Sequence, residues 1–206
     1  MLIHLCLFFS NNFYVNMPNE RKSQIVKAAA KRFARHGINK TTLDEVARDI
    51  RIGKATIYHY FPSKDELFIE ALKWENELYL EQIKVILNNE FPIAKKINDY
   101  FNYKEGLSEN HKLIYELMLN YLNEHSSEKE TEIILKLIGK EEELIKSVLS
   151  IALKDKFTSI SPALPHFIVI YSWSNLFGSK LKNLFSATKT AHSKEFLLKS
   201  LESILS

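Results

Sequence analysis

Residues 42–61, which read TLDEVARDIRIGKATIYHYF, decide the fold. Thr42 and Glu45 stand at the spacing of a capping box, in which each side chain binds the other residue's backbone N–H. Apolar residues then recur at helical spacing: Leu43, Val46, Ala47 and Ile50. The run 51–53 interrupts this pattern, and residues 54–60 form a further helical run. The stretch therefore predicts two short helices joined by a turn of about four residues.

Helices are also predicted on both sides of this pair. Upstream, apolar side chains recur every four residues: Ile25, Ala29 and Phe33. This spacing predicts an amphipathic helix over residues 21–36, and Gly37 favours the left-handed conformation that ends many helices. Downstream, Pro62 ends the second short helix. The sequence Ser-Lys-Asp-Glu at 63–66 has the form of another capping box, which predicts a long helix to about residue 87.

The remainder of the chain is also predicted to be helical. Helical periods recur over residues 92–105, 109–124, 128–153, 163–185 and 191–205, and no segment has the pattern of a strand. The chain has only five glycines and five prolines, too few for the many turns of a sandwich or barrel. We expect an all-α protein of about nine helices, with an N-terminal three-helix domain and a C-terminal helical bundle.

Positive charge is concentrated near the N-terminus. All five arginines lie between residues 21 and 51. Residues 17–70 carry a net charge of +4 and residues 71–206 a net charge of −1. A nucleic-acid-facing module on a neutral body has this asymmetry, but chance clustering on a solvated face explains it equally well. The single cysteine, Cys6, excludes an internal disulfide framework and indicates a reducing compartment, so we expect the cytoplasm.

The first sixteen residues differ in composition from the rest. Residues 1–16 contain no Lys, Arg, Asp or Glu and include an apolar run. They lack the positive region and cleavage site of a signal peptide, and the run is too short to span a membrane. We therefore expect no membrane association, a start of translation at Met17, and a leader that is non-native or disordered.

The two short helices have the arrangement of a helix-turn-helix, whose second helix enters the DNA major groove. Residues 54–60 suit that role, because most of their side chains can donate hydrogen bonds and Ala55 is small enough to meet a thymine methyl group. The alternative is that Tyr58, His59 and Tyr60 are ordinary aromatic residues of a small bundle. We favour the DNA contact because of the residues that surround them.

The order of residues from 25 to 67 closely resembles the DNA-binding domain of the TetR/AcrR family. The resemblance rests on IVKAAAKRF at 25–33, TTLDEVA at 41–47 and TIYHYFPSKDEL at 56–67. It implies that Thr42 caps the second helix and touches a phosphate, and that Lys64 binds a phosphate. Two positions depart from the family's pattern, with Arg51 at a common glycine and Gly53 at a common serine. The implied DNA contacts are Thr41, Thr42, Lys54, Ala55, Thr56, Tyr58, His59, Tyr60 and Lys64.

The resemblance also implies a C-terminal domain that binds a small molecule and dimerises through the last two helices, at 163–185 and 191–205. Residues 71–206 contain fifteen aromatic residues, which are more often core than ligand pocket. The candidate pocket residues are Trp74, Tyr103, Tyr115, Met118, Tyr121, Phe167 and Tyr171. The glutamates at 141–143 are interpreted as a solvated face. No catalytic constellation, metal-ligand spacing or phosphate-binding glycine loop occurs, so we expect no enzyme activity, cofactor or metal.

These observations predict residues 17–64 as the DNA-binding domain and residues 65–206 as the ligand-binding and dimerisation domain. The predicted function is a homodimeric repressor that a small-molecule effector releases from double-stranded DNA with a pseudo-palindromic operator. One alternative is a regulator of the same fold without such a ligand, controlled by a protein partner or acting as an activator. Another is a helical interaction protein that does not bind DNA.

Overall fold

A computed structural model describes residues 20–153, 162–178, 194–200 and 203. The predicted leader, residues 1–16, lies outside them, as do parts of the last two predicted helices. The elements are α1 (Glu20–His36), α2 (Leu43–Asp49), α3 (Lys54–Tyr60), α4 (Lys64–Leu87), α5 (Ile93–Glu105), α6 (Leu107–Asn110), α7 (Lys112–Leu122), α8 (Glu128–Leu153) and α9 (Leu164–Gly178). Residues 194–200 are also helical, and the described residues include no strand. The all-α prediction is confirmed.

The chain divides into two compact units, one ending at Glu77 and the other beginning at Leu78. The first unit is built around α1. Its buried face consists of Ile25, Val26, Ala29, Ala30 and Phe33, the residues that recur at helical spacing. The Phe33 ring meets Phe68 of α4 edge-on, with 5.3 Å between ring centres. Burial of these apolar side chains holds α1 to the first turns of α4.

The ends of the short helices follow local sequence signals. Gly37 has a φ of +78° and donates its N–H to the Phe33 carbonyl oxygen, which ends α1 in the left-handed conformation. Thr42 and Glu45 form the complete reciprocal capping box at the start of α2. At the start of α4, the Glu66 N–H donates to the Ser63 hydroxyl oxygen over 3.1 Å. Local chemistry therefore sets these boundaries.

The second unit is a helical bundle in which α9 packs against α5 and α8. One predicted helix, residues 109–124, is divided into α6 and α7. His111 lies at the junction with a φ of −138° and a ψ of 66°, which is not helical backbone. The buried core includes Ile97, Ile145 and Ile168, one from each of the three packed helices. None of the helices in the described ranges is both long enough and apolar enough to cross a membrane.

Candidate nucleic-acid interface

A four-residue turn, residues 50–53, joins α2 to α3. The N–H of Ile52 donates to the Ala47 carbonyl oxygen over 3.0 Å, and the N–H of Arg51 donates to the Arg48 carbonyl oxygen over 3.2 Å. This pair of bonds is a Schellman motif, in which the residue directly after the helix C-cap takes the left-handed conformation. That residue is Arg51, with a φ of +55°. The turn thus puts an arginine where the backbone favours glycine.

Helix α3 is anchored to the first unit by one buried side chain. Ile57 is completely buried, and it is the only buried residue of the seven in α3. Lys54, Ala55, Tyr58 and His59 are exposed, whereas Thr56 and Tyr60 are half-buried. The residues that the sequence predicts as groove contacts therefore share the outer surface of one short helix. A helix with this surface can offer several hydrogen-bond donors to base edges and phosphates.

Two predicted contact residues already have partners within the protein. The Thr42 hydroxyl accepts from the Glu45 N–H and lies 2.9 Å from the Glu45 carboxylate, to which it donates. The Thr42 N–H also donates to this carboxylate over 2.9 Å, and this backbone bond first, followed by the hydroxyl bond, lowers the pKa of Glu45. Lys54 forms a 2.6 Å ion pair with Asp44, whose hydrogen bond raises the pKa of Lys54. Both pairs are exposed, so a phosphate can compete for Thr42 and Lys54.

Thr41 and Lys64 close the loop between α1 and α2. The Thr41 side chain is 1% exposed, and its hydroxyl donates to the Gly37 carbonyl oxygen over 2.9 Å. The Lys64 Nζ donates to the carbonyl oxygens of Ile38, over 2.9 Å, and Thr41, over 3.4 Å. Lys64 has three N–H donors, so one remains for a phosphate. The Thr41 N–H donates to the Ile38 carbonyl oxygen over 3.3 Å, so in this conformation both the side chain and the backbone of Thr41 have partners within the loop.

The arginines of the basic stretch have different surroundings. Arg32 is bound within the unit, because its guanidinium donates to both Asp49 carboxylate oxygens, over 2.6 and 3.0 Å. That hydrogen bond raises the pKa of Arg32 and lowers that of Asp49. Lys31 and Arg35 lie on the outer face of α1, along a groove of about 580 Å³. Much of the local positive charge is therefore displayed by α1 rather than by α3.

The predicted ligand residues lie at several places. Trp74 belongs to the first unit. In the second unit Tyr103 lies beside Tyr79 and His111, Tyr115 stacks on Phe177, and Phe167 stacks on Tyr171. Met118 is buried, whereas Tyr121 and Phe167 are exposed. Ring contacts therefore join Phe167 to Tyr171 but do not join all the candidates into one cluster.

One glutamate of the predicted solvated face is in fact buried. Glu141 is 0% exposed, and the Lys104 Nζ lies 2.6 Å from its Oε2 atom. Lys104 also donates to the Tyr100 hydroxyl oxygen over 2.9 Å and to that of Ser172 over 2.8 Å. Burial lowers the pKa of Lys104 to about 8, and the charge of Glu141 acts in the opposite direction. The interpretation of 141–143 as a solvated face is wrong for Glu141, because it neutralises a buried lysine.

Helical spacing contained a signal for this pair. Lys104 lies seven residues after Ile97 and three after Phe101, on the buried face of α5. Glu141 lies four residues before Ile145 and four after Leu137, on the buried face of α8. A lysine and a glutamate on two apolar faces indicate a buried pair.

Among the residues that the structure describes, no group of three His, Cys, Asp or Glu side chains is placed to hold a metal ion.

Comparison with known proteins identifies the N-terminal region. Residues 25–71 match the family described as bacterial regulatory proteins, tetR family. One curated relative is the uncharacterized HTH-type transcriptional regulator YhgD of Bacillus subtilis, which is 46% identical over 54 residues. That match covers 26% of this chain and 28% of YhgD. Across the first four curated relatives, the matched region spans between 19% and 41% of the relative's length.

Solved structures extend the likeness of fold to most of the chain. A TetR transcriptional regulator from Legionella pneumophila has a TM-score of 0.60 at 20% identity, over 90% of this chain and 98% of that one. AibR in complex with isovaleryl coenzyme A and operator DNA has a TM-score of 0.54 at 18% identity, over 77% of this chain and 85% of AibR. At these identities the likeness shows a shared fold.

Proposed function

We propose that this member of the tetR family of bacterial regulatory proteins is a homodimeric repressor, which a small molecule releases from a pseudo-palindromic operator. The observation that carries the proposal is the exposure of α3. Its predicted contact residues lie on the outer surface of a helix anchored by Ile57 alone. Such a helix can enter a major groove without disturbing the core that holds it.

The DNA contacts are proposed residue by residue. Lys54, Ala55, Thr56, Tyr58, His59 and Tyr60 meet base edges and groove walls, and Thr42 and Lys64 bind phosphates on either side. Thr41 contributes by supporting the loop that carries Thr42, since its hydroxyl donates to the Gly37 carbonyl oxygen. We place this DNA-binding domain at residues 17–64 and the ligand-binding and dimerisation domain at 65–206. The site of action is the cytoplasm, where a bacterial regulator meets chromosomal DNA.

The second unit supports dimerisation through its apolar surface. Helix α9 is apolar nearly all round, and Phe167 and Ile170 remain 51% and 46% exposed. Phe196, in the helical residues 194–200, is also exposed. We propose that the last two predicted helices, 163–185 and 191–205, bury these side chains against a second copy of the chain. Two copies related by a two-fold axis present two α3 helices to two half-sites.

Binding of a small-molecule effector is proposed by analogy with a fold neighbour, since AibR is described in complex with isovaleryl coenzyme A and operator DNA, and release of the DNA is a further part of our proposal. An effector acts only as strongly as it prefers the conformation that does not bind DNA. A hundredfold loss of operator affinity requires a coupling free energy of about 2.7 kcal/mol.

Fluorescence anisotropy tests the DNA-binding part of the proposal. Labelled duplexes that tile the region upstream of the gene are titrated with the full chain, beside a scrambled duplex, at about 0.15 M salt, near the physiological ionic strength. We expect one tile to bind at least ~10³-fold more tightly than the scrambled duplex. Equal, weak and strongly salt-dependent binding to every tile would contradict the proposal and favour a helical interaction protein.

Two substitutions examine the assignment of α3. Thr56→Ala is expected to change the sequence preference, because Thr56 faces base edges. Lys31→Ala, on the outer face of α1, is the matched control and should leave the preference unchanged. If Thr56→Ala and Lys31→Ala behave alike on the selected tile and its base-substituted versions, α3 is not the recognition helix.

A further inference from the structure

The second unit has an apolar groove of about 490 Å³, where the end of α4, the start of α5 and the end of α8 meet. We call it the end groove and define it by six of its lining residues: Leu87, Phe91, Ile93, Lys96, Val148 and Ile151. Leu87, Ile93 and Val148 form its inner wall and are 1%, 6% and 7% exposed. The volume lies within the range of small-molecule sites, about 300–1,000 Å³. A ligand can therefore enter this space without opening the core.

Two large apolar side chains remain exposed at the end groove. Phe91 is 52% exposed and Ile151 is 72% exposed. Of the nine described residues that line the groove, seven are apolar. A molecule that lies along the groove removes part of this surface from water, and the free energy gained grows with the apolar area that it covers. A hydrocarbon chain suits this surface, since only one of the lining residues, Phe91, has a ring on which another ring can stack.

The end groove has one charged side chain, and that charge is unpaired. Lys96 is half-buried and forms no ion pair or side-chain hydrogen bond with the described residues. The adjacent Lys95 differs, because its Nζ lies 2.8 Å from the Asp99 carboxylate. Asn88 is the other polar residue of the lining, and no acidic residue of the described ranges lines the groove. An anionic group is therefore the complement that the groove lacks.

We propose that the end groove binds an aliphatic carboxylate, a molecule with an unbranched hydrocarbon chain and one carboxylate group. The chain packs along Leu87, Ile93 and Val148, and the carboxylate accepts hydrogen bonds from the Lys96 amine. None of the pocket residues predicted from the sequence lines this groove. The inference names a ligand class for the second unit, and the effect of this ligand on DNA binding rests on the proposed function.

A second copy of the chain complements the end groove less well. In a symmetric contact between two identical faces, each groove meets the same residues of the other copy. Two Lys96 side chains would then be buried at one interface, and the described lining offers a carboxylate to neither. Burial of an unpaired charge is unfavourable, whereas an aliphatic carboxylate brings its own negative charge. Charge complementarity therefore favours the carboxylate over self-association at this groove.

Isothermal titration calorimetry tests the proposal on the full chain. The probes are octanoate, butanoate, octanol and octyltrimethylammonium, which vary the chain length and the charge separately. We expect octanoate to saturate one site per chain and to bind at least about tenfold more tightly than butanoate, because four further methylene groups leave water. It should bind at least about threefold more tightly than octanol, the ratio set by a partly exposed ion pair. Octyltrimethylammonium should bind more weakly than octanol, because Lys96 repels it.

Paired variants assign the binding to the end groove. Lys96→Gln should lower octanoate affinity about threefold, to that of octanol, and leave octanol affinity unchanged. Lys136→Gln, at an exposed lysine of α8 outside the groove, should change neither affinity. Ile151→Asn should weaken octanoate and octanol alike, whereas Leu135→Asn, at another exposed apolar residue of α8, should weaken neither. None of these four side chains is buried, so the variants should fold.

Several results would overturn the inference. They are equal affinity for octanoate and butanoate, equal affinity for octanoate and octanol, and an unchanged octanoate affinity in Lys96→Gln or in Ile151→Asn. Light scattering identifies the alternative occupant. A lower molar mass of Ile151→Asn, with octanoate affinity unchanged, would assign the groove to a second copy of the chain.

A separate readout distinguishes this inference from the proposed function. Operator binding is measured by anisotropy with and without saturating octanoate. Octanoate that binds with the expected selectivity but leaves operator affinity unchanged supports the ligand site and contradicts its role as an effector site. If no tile is bound specifically, the proposed function fails, and the calorimetric titration still decides whether the end groove binds an aliphatic carboxylate.

Discussion

The Lys64 Nζ lies 2.9 Å from the Ile38 carbonyl oxygen, across the loop that separates α1 from α2. A cation in the first turn of a helix is unfavourable because the N-terminal end of the helix dipole is positive. From the sequence, the position of Lys64 in the first turn of α4 is explained by an external phosphate. In the structure, the carbonyl oxygens of Ile38 and Thr41 already accept hydrogen bonds from Lys64. Lys64 therefore has a structural role that is independent of DNA.

Lys64 variants separate the two roles. Lys64→Ala removes the donors to the Ile38 and Thr41 carbonyl oxygens, and we expect unfolding to become easier by about 1–2 kcal/mol. Lys64→Gln keeps a neutral donor and should recover part of this loss. If Lys64 also binds a phosphate, both variants should bind every duplex more weakly. The slope of log affinity against log salt concentration should also become shallower by about one. Unchanged salt slopes would leave Lys64 only its structural role.

Arg51 stores a small amount of backbone strain in the turn. Arg51→Asn should raise the free energy of unfolding by about 0.5 kcal/mol, since Asn adopts the left-handed conformation more readily. Arg51→Val should lower it by about 1–2 kcal/mol, since a branched side chain at a φ of +55° is unfavourable. Arg48→Asn, which removes the same charge from α2, is the control for denaturant unfolding. A stabilisation in Arg48→Asn equal to that in Arg51→Asn would assign the gain to charge.

Removing one charge of the buried pair Lys104–Glu141 should destabilise the protein strongly, whereas replacing both residues by apolar ones should change the free energy of unfolding little. Glu141→Gln leaves the lysine buried without its carboxylate, and we expect a loss of about 3–5 kcal/mol in urea unfolding. The double variant Lys104→Met/Glu141→Leu should remain within about 1–2 kcal/mol of the original protein, because neither charge remains. A double variant as unstable as Glu141→Gln would show that shape, rather than charge, determines the loss.

His111 should make the protein sensitive to acid. Burial lowers the pKa of His111 from 6.5 to about 4. Between these values the unfolded chain binds a proton that the folded protein does not bind. Stability is therefore lost as pH falls from about 6.5 to about 4, by about 3 kcal/mol at most.

Thermal melts across this pH range measure the effect. His111→Gln should show a smaller decrease in melting temperature on acidification than the original protein. His125→Gln, at an exposed histidine, is the matched control and should retain the full decrease. The assignment fails if both variants show the same pH dependence.

The elements that the sequence predicts well are those whose causes are local. The start of α2 follows from Thr42 and Glu45, three residues apart, and the end of α1 follows from Gly37. The roles of Lys64 and Glu141 depend on distant partners, at Ile38 and Lys104. Three consecutive glutamates look alike in sequence, and only the packing of α8 decides which one is buried.

The same distinction between local causes and partners distant in sequence applies to the surface of the candidate DNA site. Ile57 and Phe61 are four residues apart, and this helical spacing indicates which face of α3 is buried and therefore which positions are exposed. The burial of Thr41 did not follow, because it depends on the hydroxyl reaching back to the Gly37 carbonyl oxygen. A threonine before a helix can cap the helix or support the loop, and adjacent threonines here divide these roles.

The single buried residue of α3 has a consequence for evolution. In a protein whose recognition residues are also buried in its core, each substitution that changes specificity also lowers the free energy of unfolding. Here one residue of seven in α3 is buried. Substitutions at the other positions change the outer surface at little cost to folding, so under the proposed function descendants of this chain can acquire new operators by single mutations in α3.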